Sequence, residues 1–195
     1  MCVLVVKNDK YGKPLFAKSR ILVLGDFKDR LYQKYQCYAP VLKYSSLRLL
    51  TAKAVGDKRI LQQGDFKNAS CNITLPDVEV TVIGPSIGDQ AFKEDEYWIL
   101  KKMLYGLRWS PHHWYNMIKG ILLKMDLKVP PHDPYLLSGI LENPNYHQII
   151  WEAYSQVYFS LYVENFVFYI SYPTQEALFQ TWLHEKIQVD FMGDV

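Results

Sequence analysis

Several protein classes are ruled out by what the sequence lacks. Only three cysteines occur in 195 residues, Cys2, Cys37 and Cys71, an odd number with no metal-ligand spacing. That excludes a disulfide scaffold and a zinc finger, and it points to a reducing compartment, cytoplasm or nucleus. No apolar run approaches the roughly 20 residues that cross a bilayer, so no membrane partner is expected. The opening apolar stretch, Cys2 to Val6, is too short for a secretory signal, and charge follows it directly. There is no repeat and no low-complexity segment. Neither sign of charge dominates: Lys and Arg number 22 against 20 Asp and Glu. Such a balance neither demands nor excludes a nucleic-acid partner. The basic residues nevertheless crowd between Lys7 and Lys67, for which a solvated face is the plain explanation.

What is abundant is apolar and aromatic surface, 49% and 15% of the residues, enough for one domain or two small lobes sharing a core. Residues 2–6 and 16–25 read as the strands of an opening hairpin with a basic outer face, joined by the turn "KNDKYGKP". Residues 29–40 read as loop. "YSSLRLLTAKAVG" (44–56) reads as a helix capped by Ser45 or Ser46, with Leu47, Leu50 and Ala54 on one face and Gly56 at its end. Strands are expected after Arg59, with Asp65 near the end, at 78–84, and at the start of 97–107. Ser110 and Pro111 open a second helix with Trp114, Met117, Ile118, Ile121, Leu122 and Met125 inward. Residues 129–137 and 141–148 read as loops. A last helix is expected from Pro173 to about Ile187, with Ala177, Leu178, Trp182 and Ile187 inward.

The most informative stretch is "SLYVENFVFYIS" (160–171). Apolar and aromatic strand residues flank Glu164 and Asn165, the layout of a tight hairpin with an acid and an amide at its tip. Strand, helix, hairpin, helix is close to a split βαβ arrangement, with helices on one face of an antiparallel sheet. In such a sheet the end of the Asp65 strand and the hairpin tip converge, and acids at 65 and 164 can share one metal site.

Several blocks, in order, carry a resemblance. "KSRILVLGDF" (18–27) looks like Lys-Ala-Arg-Leu-Val-Ala, and "YAPVLKYSSLRLL" (38–50) like Ala-Pro-Val followed by Ser-Leu-Arg-Leu-Leu. "QQGDFKNAS" (62–70) matches Gln-Leu-Asp-Val-Lys-Asn-Ala-Phe. "LKKMLYGLRWSPHHWY" (100–115) is similar to Leu-Lys-Lys-Ser-Leu-Tyr-Gly-Leu-Lys-Gln-Ser-Pro-x-x-Trp-Tyr, the most specific of the blocks. "HDPYLL" (132–137) looks like an Asp-Pro-Cys-Leu block, "LYVENFVFY" (161–169) stands where Tyr-Val-Asp-Asp is expected, and "IQVDFMGDV" (187–195) resembles Met-x-Asp-Leu-Gly. Together they resemble the reverse transcriptase domain of copia-type LTR retrotransposons over nearly the whole chain.

The resemblance implies an α+β fold of fingers and palm, with a ferredoxin-like split βαβ palm, an antiparallel sheet and helices on one face. About 1–60 would be fingers-like and 61–195 palm-like with inserted fingers strands. It implies an RNA-directed DNA polymerase that takes an RNA or DNA template-primer and a deoxynucleoside triphosphate. Catalysis would use two Mg²⁺ (or Mn²⁺) ions about 3.5–4 Å apart. Three Asp hold those metals in the family; Asp65, Glu164 and Asn165 occupy the three positions here. Asn165 lacks charge and Glu164 is longer by a methylene, and a misplacement of about 1 Å can cost roughly 100-fold. The expected state is a crippled polymerase, with a non-catalytic nucleic-acid-binding remnant or an inert retroelement fossil as alternatives. Lys18 and Arg20 match residues that grip the triphosphate, with a solvated hairpin face as the plain alternative. Tyr105 and Gly106 match the turn that lies against nucleotide and template, and Tyr162 a residue near the primer end. Ser70 stands where the family carries an aromatic that excludes ribonucleotides, so sugar discrimination would be poor. Trp109 is expected to be a packing change. His112 and His113, about 100° apart on a helix, do not share a metal and are expected at the surface of its first turn. The chain opens inside a strand and carries no thumb, RNase H, protease or integrase segment, which implies a fragment of a longer polyprotein.

Overall fold

The computed structural model describes residues 2–24, 37–39, 41–75, 80–84, 96–142 and 154–195. The expected loop at 29–40 and that at 141–148 lie largely outside them. Among the described residues there are nine strands and three α-helices, a mixed α+β protein whose paired strands are antiparallel. Two units form, each discontinuous in sequence: residues 1–38 with 70–114, and residues 39–69 with 115–195.

In the first unit, β1 (Cys2–Asn8) and β2 (Pro14–Ile21) pair as the expected hairpin, with Asp9 accepting backbone bonds from Tyr11 and Lys13 at the turn. The register sorts its two faces. Leu4, Val6, Ala17 and Ile21 share one, while Lys7, Lys18 and Arg20 share the other with Val3, Val5 and Phe16. A second pair, β4 (Val82–Ile83) and β5 (Trp98–Ile99), is short.

The second unit is built on a five-stranded sheet in the order β6-β7-β8-β3-β9. Its strands are β3 (Gln62–Phe66), β6 (Leu136–Glu142), β7 (Tyr154–Tyr162), β8 (Asn165–Ile170) and β9 (Val189–Asp194). With α2 (Ser110–Leu123) following β3 in sequence, and α3 (Glu176–Lys186) between β8 and β9, the strands take the split βαβ order with β6 added at one edge. Residues 136–142 pair with β7, so the loops expected on either side of residue 140 give way to a strand. The C-terminal segment is likewise a strand, paired with β3.

Alternation along β8 fills both faces of this sheet. Phe166 and Phe168 point one way, and the ring of Phe168 lies 5.0 Å from that of Phe179 on α3. Phe159 joins them, stacked 5.0 Å from Phe166. Each such pair contributes about 0.5–1.5 kcal/mol beyond its buried area. Val167 and Tyr169 point the other way, onto Leu50 and Ala54 of α1 (Tyr44–Gly56). Helices therefore cover both faces, not one. The reason lies in β8 itself, whose residues from Phe166 to Ile170 are apolar at every position rather than at alternate ones. Tyr169 also donates its hydroxyl to Asp57 at 2.8 Å, and burial together with that bond raises its pKa.

The helix ends depart from their sequence signals. α1 has Lys43 at its N-cap with no side-chain cap, because Ser46 is turned inward and donates to the Asp133 carboxylate instead. Its C-terminus closes past Gly56, where Lys58 takes φ 54° and the amides of Lys58 and Arg59 bond to the carbonyls of Val55 and Ala54. Ser110 is the first residue of α2, and its buried hydroxyl has no hydrogen-bond partner among the described residues, so it does not cap. Trp114, Ile118 and Leu122 are buried as the spacing predicts, and Trp109 is packed in the core. On α3 the buried face is Phe179 and Leu183; Ala177 is exposed, and Leu178 and Trp182 are only partly buried. The Pro173–Gln175 segment is a 3-10 turn, so the α-helix begins at Glu176 rather than at Pro173.

Two backbone features hold the hairpin tip against β3. The β7–β8 loop is two residues, Val163 and Glu164, with Tyr162 and Asn165 the last pair; Asn165 opens β8 rather than sitting in the loop. Val163 takes φ 57°, costly for a β-branched residue and suited to glycine in a loop of this kind. On β3, Gly64 lies against the Phe166 ring, and a Cβ there would approach the Asp190 carbonyl oxygen to 2.8 Å. The resembling motif has Leu at that position, so Gly64 makes room for Phe166.

Val163→Gly should stabilise the chain by about 1 kcal/mol, read as a higher urea midpoint; a lower midpoint would contradict strain at the tip. Gly64→Ala should destabilise by about 1–3 kcal/mol in the same assay, and an unchanged midpoint would show that Phe166 yields freely.

Candidate active site

The register assembles one cross-strand row. Tyr162 of β7 pairs with Asn165 of β8, Asn165 with Asp65 of β3, and Asp65 with Asp190 of β9. Directly opposed residues place their side chains on the same face, with Cβ atoms about 4.5–5.5 Å apart. Glu164 sits in the turn beside this row, and its carbonyl accepts the Phe66 amide at 2.8 Å. The structure thus brings together Asp65, Glu164, Asn165 and Tyr162 from segments far apart in sequence.

Asp190 is the member that sequence reasoning missed. The alternation of buried Val189 with exposed Asp190 was the available signal, hidden because the C-terminal segment was not read as a strand. Asp190 is also not a free carboxylate: Lys67 Nζ lies 2.7 Å away.

A pair of Mg²⁺ ions requires several anionic oxygens in near-octahedral array at about 2.0–2.1 Å. This row offers a neutral amide at Asn165 between Tyr162 and Asp65, and its next carboxylate is already neutralised by Lys67. Among the described residues no three or more His, Cys, Asp or Glu surround a point where a metal ion could bind. These residues do not fit a two-magnesium centre.

The other candidate residues belong to the first unit. Lys18 and Arg20 are exposed on one face of the β1–β2 hairpin, and the Arg20 guanidinium lies 5.5 Å from the centre of the Tyr105 ring. The Tyr105 carbonyl accepts the Val23 amide at 2.8 Å, docking the Tyr105–Gly106 turn on the continuation of β2. Gly106 takes φ 94°, and a Cβ there would collide with the Val23 carbonyl, so the position requires glycine. Ser70 is buried in the Ala69–Asn72 3-10 turn; the carbonyl of Ile73, which closes that turn, accepts the Met103 amide at 2.9 Å. Arg20, Tyr105 and Gly106 thus form one cluster, with Lys18 two residues along β2 on the same hairpin face as Arg20 and Ser70 tied to the segment that leads into the turn. His112 is partly buried, its Nδ1 2.7 Å from the Tyr38 carbonyl, so that nitrogen carries a proton and donates. His112 and His113 rings meet edge to face, 5.9 Å apart.

The family model described as reverse transcriptase (RNA-dependent DNA polymerase) matches residues 2–192. No solved structure matches the chain. The match spans almost all of the sequence, including β3, the hairpin tip and the Tyr105–Gly106 turn: the chain belongs to the reverse transcriptase (RNA-dependent DNA polymerase) family.

Proposed function

We propose that this chain is the reverse transcriptase domain of a copia-type retrotransposon, in which nucleotidyl transfer has been crippled at the hairpin tip. The observation that carries this reading is the pairing of Asn165 with Asp65. A neutral amide faces the acid at the position where the resembling motif has a second Asp. In this reading the second unit corresponds to the palm. Asp65, Glu164 and Asn165 hold the positions of the metal ligands, and Tyr162 that of a residue near the primer end. The first unit corresponds to the fingers. Lys18 and Arg20 meet the triphosphate by charge-assisted hydrogen bonds, Arg20 held in place by stacking on Tyr105. Tyr105 and Gly106 lie against the nucleotide and template, and Ser70 leaves the sugar pocket open to a ribose. Mg²⁺ or Mn²⁺, a template-primer and a deoxynucleoside triphosphate are the partners of an active relative of this kind, and cytoplasm or nucleus is where such a domain works, as part of a longer polyprotein.

A second reading has its own support. Lys7, Lys18 and Arg20 share one exposed face of the β1–β2 hairpin, a basic strip suited to a phosphate backbone. A remnant that binds nucleic acid without extending it would keep this face and need no metal.

Primer extension on an RNA template separates the two. The native chain should extend at least about 100-fold more slowly than the double variant Glu164→Asp, Asn165→Asp. Equal extension by both would contradict a lesion at the tip. Binding of template-primer that weakens steeply with salt, with no extension by either chain, would favour the second reading.

A further inference from the structure

A cavity of about 520 Å³ lies in the second unit, at the β6 edge of the five-stranded sheet. We propose that it binds a small zwitterion: the linked ammonium and carboxylate of a free amino acid or of a short peptide. Its volume falls within the roughly 300–1,000 Å³ of small-ligand sites. Strands β6 and β7 supply its floor. Ser138 pairs with Tyr158 and Ile140 with Gln156, so these four side chains are neighbours on one face. Gly139, Asp126 and Lys128 complete the lining among the described residues.

The charged side of the cavity is fixed by backbone. Lys128 and Ser138 exchange backbone hydrogen bonds of 2.7 and 3.0 Å. Two residues earlier, Asp126 takes φ 57°, a left-handed turn just beyond α2. One carboxylate and one ammonium therefore border the same cavity, and no ion pair joins them among the described residues.

Gln156 is oriented for an anion. Tyr158 donates its hydroxyl to Gln156 Oε1 at 2.6 Å, which leaves the carboxamide N–H groups as the available end. Tyr158 is itself held, its ring 5.0 Å from that of Tyr169 and 4.8 Å from Lys53 Nζ. Lys128 and Gln156 thus offer donors to a carboxylate, and Asp126 accepts from an ammonium. A single exposed ion pair is worth little, so a ligand with one charge gains little here; a zwitterion engages both at once. A metal ion would find one carboxylate, and a polyanion would be repelled by it. Ile140 is the apolar member of the lining and favours an aliphatic side chain.

None of Asp65, Tyr162, Glu164 or Asn165 lines this cavity, and neither do Lys18, Arg20, Ser70, Tyr105 or Gly106. The proposal therefore does not rest on the polymerase reading.

Amide chemical shifts of the isotope-labelled whole chain, followed during titration with leucine, leucyl-leucine, N-acetyl-leucine and leucinamide, test it. Leucine or leucyl-leucine should shift Ser138, Gly139 and Ile140 with a Kd of about 1–10 mM, and the tighter of the two distinguishes a free amino acid from a peptide. Each blocked analogue should bind at least about fivefold more weakly. Asp126→Asn, which keeps a residue tolerant of the left-handed backbone, should weaken leucine about fivefold and leave N-acetyl-leucine unchanged. Lys128→Met should weaken leucine about as much and leave leucinamide unchanged. Both positions are exposed, so the variants should melt with the native chain. The proposal is overturned if neither leucine nor leucyl-leucine shifts these amides by about 20 mM, if the blocked analogues bind as well as leucine, or if both variants bind leucine as the native chain does. Primer extension does not read this site, so failure here leaves the polymerase reading to its own test.

Discussion

The second unit depends on one short strand being paired along both edges. β3 has five residues, and it holds β8 on one side and β9 on the other. Gly64 lets Phe166 lie flat against it, Phe66 is fully buried and donates its amide to the carbonyl of Glu164 at the hairpin tip, and Asp65 is left on the opposite face. Every candidate residue of the hairpin tip owes its place to that register. A slip of one residue would bury Asp65 and expose Phe66, which the aromatic cluster around Phe159, Phe166 and Phe168 resists.

This arrangement gives the tip substitutions different weights. Glu164 lies in the loop and engages β3 through its backbone carbonyl, which a longer side chain does not alter. Asn165 lies in the ladder, directly opposite Asp65, where the loss of charge is felt at short range. Lys67 then reaches Asp190 from the far side. The row itself holds the Asp65 and Asp190 carboxylates, the latter paired with Lys67, on either side of a ladder position where Asn165 is neutral, with the Glu164 carboxylate in the adjoining loop.

Much of this was legible in the sequence, for physical reasons. Dense apolar strand residues around Glu164 gave the β7–β8 hairpin, and the three-and-four spacing from Trp114 to Leu122 gave α2. The span of α1 was readable, but the capping of its two ends was not, because Ser46 finds Asp133 in a distant loop and Lys58 adopts the left-handed conformation usually left to glycine. Strands β6 and β9 escaped notice for a different reason. "LLSGILE" and "VDFMGD" are short, interrupted by glycine and weakly alternating, and they become strands only because β7 and β3 offer them edges. The two-sided burial of β8 also hid the placement of α1, since a strand apolar at every position does not announce which helix covers which face. Asp65, Glu164, Asn165 and Tyr162 were found from their motif; Asp190 needed the sheet.

Metal binding is the quantity on which this account turns. Titration of the chain with Mn²⁺, followed by electron paramagnetic resonance of the free ion, measures it without any requirement for turnover. The arrangement of Asn165, Lys67 and Asp190 predicts no saturable pair of sites at micromolar to low millimolar Mn²⁺. Two ions bound per chain in that range, released by Asp65→Asn, would contradict it and restore a working two-metal centre.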